Sequence, residues 1–129
     1  MADHFGFTKL VVGDLDKSAA FYKSVCGLVE QTLIESEIAG RAIKEILFNA
    51  TAPNAGTFVL LSFVDLPKPA GGETILGFIT PDVTAFVDRA RTAGGSVAQE
   101  IKTMPQHGVK VAFVRDLEGH LIEVVERLQ

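Results

Sequence analysis

The chain has 129 residues, 47% of them hydrophobic, enough for one domain with a substantial core and too few for two ordinary ones. A net charge of -4 with no Lys/Arg cluster argues against nucleic acid or an anionic membrane surface as the main partner and leaves small molecules or proteins. The opening MADHFGF has neither the basic nor the apolar segment of a leader, and no run reaches the roughly 20 apolar residues of a membrane span, so a cytoplasmic protein without membrane contact is expected.

In chain order, Phe7 to Val12 reads as a strand, and Gly13-Asp14 closes it with an Asp suited to cap a following helix. That helix is expected from about Leu15 to Val25, with Leu15, Ala19, Tyr22 and Cys26 on one apolar stripe and Gly27 ending it. Cys26 is the only cysteine, which rules out an internal disulfide or a cysteine zinc cluster; it reads as a small buried hydrophobe, with a nucleophile as the alternative. Three strands follow, Val29 to Ser36, Arg41 to Asn49 and Thr57 to Val64, and then a connector, LPKPAGG, from Leu66 to Gly72. The same order begins again with a strand from Thr74 to Thr80. Asp82 caps a second helix whose stripe is Val83, Phe86, Val87, Ala90 and Ala93, and Gly94-Gly95 stops it. Val97 to Thr103, Val109 to Arg115 and His120 to Glu126 supply the last three strands.

Each half therefore reads strand, helix, strand, strand, strand, a repeat of element order at roughly 65 to 70 residues. The expected fold is α+β, one domain over residues 1-129 with a first module at about 5-65 and a second at about 73-129. In such a module the helix covers one face of the sheet and leaves the other for a second module or a ligand.

The last hairpin carries the residue that most needs a reason. In HLIEVVE, period-two alternation puts Leu121, Glu123 and Val125 on one face and Ile122 and Val124 on the other. An unpaired carboxylate on a strand that is apolar on both sides costs several kcal/mol, on the order of the figures for buried charges, unless it is paired, hydrogen-bonded, metal-bound or protonated.

The stretches FTKLVVGDLDKSAAFYKSVCGL, GFITPDVTAFVDRARTAGG and VAFVRDLEGHLIEVVE resemble the vicinal oxygen chelate superfamily, which contains glyoxalase I, extradiol dioxygenases, fosfomycin resistance enzymes and bleomycin resistance proteins. The resemblance covers essentially the whole chain. It implies two β-α-β-β-β modules with curved mixed sheets around a cavity, commonly completed in a homodimer. In metal-using members it implies a divalent ion held by residues from the first strand and carboxylates from the last strand of each module. Carried over, those positions fall on Phe7, on Leu60 or its neighbour, on Phe78 and on Glu123. Phenylalanine and leucine have no lone pair to give a metal, so neither metal nor other cofactor is expected.

The histidines do not obviously rebuild the site. His4 would face away from Phe7, and His120 away from Glu123, while His107, in the MPQHG loop, is the one suited to acid/base work. Lys9 shares a face with Phe7 and either helps to bind an anionic group, as the resemblance implies, or snorkels to solvent. Phe7, Phe48, Phe58, Phe78 and Phe113, with Leu60 and Leu121, make an apolar wall suited to a planar organic ligand if they face inward, and plain core if they do not. Arg41, Lys44, Glu45, Gln99 and Arg115 are left unplaced by strand phase. Three functions are compatible with this reading. One is a metal-independent binder of a small, aromatic organic compound, similar to the antibiotic-sequestering members. Another is a metal-independent lyase or isomerase with Glu123 as general acid or base and His107 as second candidate. The third is a metal-dependent glyoxalase or dioxygenase with rearranged ligands.

Overall fold

The computed structural model describes residues 5–65 and 74–129; His4 and the connector at 66–72 lie outside the described residues. The elements follow the expected order: β1 (Phe7–Val11), α1 (Leu15–Cys26), β2 (Glu30–Ile38), β3 (Arg41–Phe48), β4 (Thr57–Phe63), β5 (Ile75–Ile79), α2 (Val83–Thr92), β6 (Ser96–Met104), a 3-10 turn (Pro105–His107), β7 (Val109–Arg115) and β8 (Leu121–Arg127). They form two mixed four-stranded sheets, ordered β1-β4-β3-β2 and β5-β8-β7-β6. In both, the first strand pairs in parallel with the last of its module and the other two pairings are antiparallel. No helix among the described residues is long and apolar enough to cross a membrane. The chain clusters into two compact units, residues 1–23 with 27–69 and residues 70–129 with the last turn of α1, Ser24–Cys26.

Both helices begin where an aspartate answers an orphan backbone donor. Asp14 Oδ1 accepts from Lys17 N–H and Asp82 Oδ1 from Ala85 N–H, each at 3.0 Å, with the two caps in extended backbone. Glu126 of β8 also accepts from Val83 N–H at 2.8 Å, which ties the start of α2 to its own sheet. At the far end of α1, Gly27 takes the left-handed conformation, φ 68°, that lets its N–H return to Lys23 O.

In the first unit Tyr22 of α1 lies 5.1 Å from the Phe58 ring, which in turn stacks on Phe48 at 6.1 Å. Alternation then puts Leu60 and, across the ladder, Leu10 and Ile46 on this helix-facing side. In the second unit Phe78 meets Phe86 of α2 at 6.1 Å, and Leu76, Ile122 and Val124 share that side. Ile122 and Val124 are fully buried there, so Glu123 lies on the face turned away from α2.

The β7–β8 turn, DLEGH, is knitted by one carboxylate. Asp116 Oδ1 accepts from the N–H groups of Glu118 and His120 at 2.9 Å each, and Asp116 Oδ2 lies 2.8 Å from His120 Nδ1. Both side chains are buried, and Gly119 turns the chain with φ 91°.

Candidate functional site

The helix-free face of each sheet is read from cross-strand partners, since directly opposite residues share a face with Cβ atoms about 4.5–5.5 Å apart in antiparallel pairs. In the second unit one row runs Gly77, Glu123, Phe113, Gln99 across β5, β8, β7 and β6. The row on one side is Ile79, Val125, Val111, Lys102, and on the other Ile75, Leu121, Arg115, Ser96. Glu123 is half-buried on this largely apolar face, with the Phe113 ring directly opposite and Gly77 on its other flank. It makes no hydrogen bond or ion pair with any other described residue. Arg115, the nearest cation in register, donates instead to Gly119 O at 3.1 Å.

In the first unit the corresponding row is Lys9, Val59, Leu47, Thr32, and the next is Val11, Leu61, Glu45, Ile34. Lys9 Nζ donates to Glu45 Oε1 at 2.9 Å and stands 5.7 Å from the Phe7 ring. Glu45 is buried among Ile43, Leu47, Val59 and Leu61, all on its own face, so this carboxylate is compensated where Glu123 is not.

The two aspartate caps give a common origin for comparing modules. Phe7 stands seven residues before Asp14 and Ile75 seven before Asp82; Lys9 and Gly77 stand five before. Val59, paired with Lys9, is therefore the counterpart of Glu123, paired with Gly77. Two carried-over positions are corrected by this register. Leu60 and Phe78 face the helices, and the helix-free positions beside them are Val59 or Leu61, and Ile75 or Gly77. None has a donor atom, and among the described residues no group of three or more His, Cys, Asp or Glu could hold a metal ion. The described residues do not fit the divalent metal that the fold family implies.

The expected ligand wall separates into two sets. Phe48, Phe58, Leu60 and Phe78 face the helices, Phe48 and Leu60 buried and Phe58 and Phe78 half-buried, because the ring contacts with Tyr22 and Phe86 fix the strand phase. Phe7, Lys9, Phe113 and Leu121 stand on helix-free faces with Glu123 in its own unit. His107 is exposed in the β6–β7 turn. Val109 and Phe113 are four residues apart on β7, which puts the turn about 13 Å along the strand from the Glu123 row. His107 and Glu123 are not brought together. His120 is held by Asp116, and Arg41 lies at the β2–β3 turn, where it binds Asp65 at 2.8 Å and stacks on Phe63. The Arg41 guanidinium beside Asp65 holds that exposed carboxyl below its usual range. Burial pushes the Cys26 thiol up to about 12, so it carries essentially no thiolate at neutral pH and is no nucleophile.

Sequence reasoning left Glu45 and Gly77 unassigned. Glu45's partner lies 36 residues away, outside any local pattern, whereas Gly77 was readable as an isolated glycine inside a strand.

Two repeated β-α-β-β-β units with one carboxylate, Glu123, on the helix-free face of the last strand define a two-module α+β protein with a reduced donor set. The sequence profile of the Glyoxalase/Bleomycin resistance protein/Dioxygenase superfamily matches residues 2–124, and the chain belongs to that superfamily, the vicinal oxygen chelate proteins. A probable lactoylglutathione lyase of Vibrio parahaemolyticus is 30% identical over 95% of this chain and 89% of its own length. A lactoylglutathione lyase of Arabidopsis thaliana is also 30% identical, over 90% of this chain and 41% of its own. A glyoxalase family protein from Bacillus cereus superposes with a TM-score of 0.84 at 19% identity, covering 100% of this chain and 99% of that one. The fosfomycin resistance protein FosX of Listeria monocytogenes gives 0.71 at 17% identity, over 98% and 94%.

Proposed function

We propose that this protein binds a small planar organic compound on the helix-free face of its second sheet, without a metal ion. The observation that carries the reading is Glu123, a half-buried carboxylate with an aromatic ring opposite and no partner among the described residues. A half-buried carboxylate without a protein partner gains from a hydrogen-bond donor, and a ligand can supply one. Phe113 and Leu121 offer the apolar contact area. Among the described residues the helix-free faces offer too few donors for divalent-metal chemistry, which supports the metal-independent reading.

A second reading is favoured by the same carboxylate. Placed against a ring and free of a fixed counter-ion, Glu123 suits proton transfer at carbon in a metal-independent lyase or isomerase. Both readings include a homodimer and a cytoplasmic location, carried over from the resemblance and from composition; light scattering at micromolar concentration tests the first of these.

The deciding experiment is a thermal-shift screen of wild type and Glu123→Gln against aromatic metabolites and antibiotics, with each hit then assayed for conversion. Binding without turnover, weakened in Glu123→Gln for donor-bearing compounds, supports the binder. Turnover that falls roughly a hundredfold or more in the variant while binding persists supports the enzyme. Hits that stabilise both proteins equally and are converted equally would remove Glu123 from the function. Elemental analysis of protein purified without chelator should find well under one equivalent of Zn, Ni, Mn or Fe, and stoichiometric metal would revive the third reading.

A further inference from the structure

Gly77 is not explained by the needs of its own backbone. It occupies the middle of β5, where a glycine weakens a strand by its extra conformational freedom and its missing side chain, and where it normally marks a bulge, a bend or a close approach. The parallel register with β8 runs unbroken from Ile75 opposite Leu121 to Ile79 opposite Val125, so no bulge is present. Its φ is not positive, in contrast to Gly27, Gly94 or Gly119. A Cβ built on Gly77 meets nothing within 4 Å, so no described neighbour requires the space. What remains is its partner across the ladder, which is Glu123.

We infer that Gly77 is a specificity-determining residue: its missing side chain opens a slot beside the Glu123 carboxylate that admits the flat, hydrogen-bond-donating end of a planar ligand against the β5 backbone. Ile75 and Ile79 stand on the same face two residues to either side, about 7 Å away along the strand, and are 60% and 62% exposed. They wall the slot with apolar surface. An ionised carboxylate only accepts hydrogen bonds, so the inserted end carries N–H or O–H groups, as an amidine, amide or phenol does. The rest of the ligand extends along the row over Phe113 toward Gln99. In the first unit the equivalent position is filled by Lys9, so the slot is a property of the second sheet alone. The inference rests on the reading of the Glu123 face as the ligand site.

Benzamidine, a planar cation with four N–H donors, is the probe. It is titrated into 15N-labelled wild type, Gly77→Val and Glu123→Gln while backbone amide shifts are followed. The expected result is that benzamidine moves the amides of Gly77, Phe113 and Glu123 in wild type and binds at least tenfold more weakly to Gly77→Val. That variant should melt at or above wild type, because valine suits a strand and the space is empty. If Gly77→Val melts lower, Gly77→Ala carries the same comparison with a smaller loss of affinity. Equal affinity of wild type and the melting-competent variant, with shifts at those same amides, overturns the slot and leaves the face as the ligand site. Absence of any shift at those amides in wild type overturns the reading of the face and the slot with it.

Discussion

Replacing Lys9 by methionine keeps most of the side-chain volume and removes the one charge that compensates Glu45. At 2.9 Å, with an effective dielectric of about 20, the pair attracts by about 6 kcal/mol before the cost of desolvating its members is deducted. The two members are not equally buried: the side chains are 34% and 10% exposed for Lys9 and Glu45. Lys9 can therefore turn its ammonium into water if its partner is lost, whereas Glu45, among Ile43, Leu47, Val59 and Leu61, cannot. Lys9→Met should cost about 2–3 kcal/mol, at or below the low end for breaking a buried pair, because water screens part of this one. Glu45→Gln should cost about 1 kcal/mol or less. The double variant should be no less stable than Lys9→Met alone, which makes the coupling energy at least as large as the cost of Glu45→Gln itself. Urea unfolding of the four proteins at pH 7, repeated at low and high salt, measures it, and the coupling should change little with salt because one partner is buried. Equal costs for the two single changes, adding to within about 0.3 kcal/mol in the double variant, would refute the asymmetry on which this reasoning rests.

The phenylalanines should separate by face. Phe48→Ala should lower stability by about 3–5 kcal/mol in urea unfolding, as for a fully buried ring, while Phe113→Ala should lose much less stability and more ligand affinity; the reverse order would contradict the strand phase. Cys26 should make stability depend on pH in the alkaline range only. Its thiol is raised from 9.0 to about 12 in the folded protein, so the unfolded state loses its proton first as pH rises and is thereby favoured. The contribution is full below about pH 9 and is lost toward pH 12, with a slope of at most about 1.4 kcal/mol per pH unit that Cys26→Ala should lack. Iodoacetamide should alkylate the folded wild type at neutral pH far more slowly than the urea-unfolded chain.

Element order, both helix starts and the closing hairpin were legible because each rests on short-range chemistry. Asp14 and Asp82 bond to donors three residues on, Gly27 follows its helix directly, and Asp116 gathers the amides of its own turn. The face of Glu123 was legible for a related reason: β8 alternates, and only one phase buries Ile122 and Val124. The phase of β4 and β5 was not. FVLLSF and ILGFIT are largely apolar, Val59, Leu60 and Leu61 are all buried, and the side that meets the helix is decided by tertiary contacts, with Tyr22 for Phe58 and with Phe86 of the following helix for Phe78, that alternation within the strand does not reveal. That is why Leu60 and Phe78 were assigned to a site they do not line. The Lys9–Glu45 pair was hidden similarly, since neither residue has a local signal and the pairing exists only through β4 between them.

The two modules share a topology and differ in how each keeps a carboxylate on its helix-free face. In the first, Glu45 is buried and neutralised by Lys9, so its charge is satisfied within the protein and a ligand gains little by approaching it. In the second, the residue equivalent to Lys9 is Gly77, and Glu123 faces an empty flank and a phenyl ring. Exchanging a lysine for a glycine at this one register position removes the internal counter-ion and opens the space a ligand needs. Both effects act on Glu123, which supports the proposal that the second sheet carries the ligand. A Gly77→Lys change would impose the first module's solution on the second. It should pair with Glu123, raise the melting temperature and abolish benzamidine binding together. Loss of binding without any gain in stability would mean that the lysine blocks the slot sterically and does not neutralise Glu123.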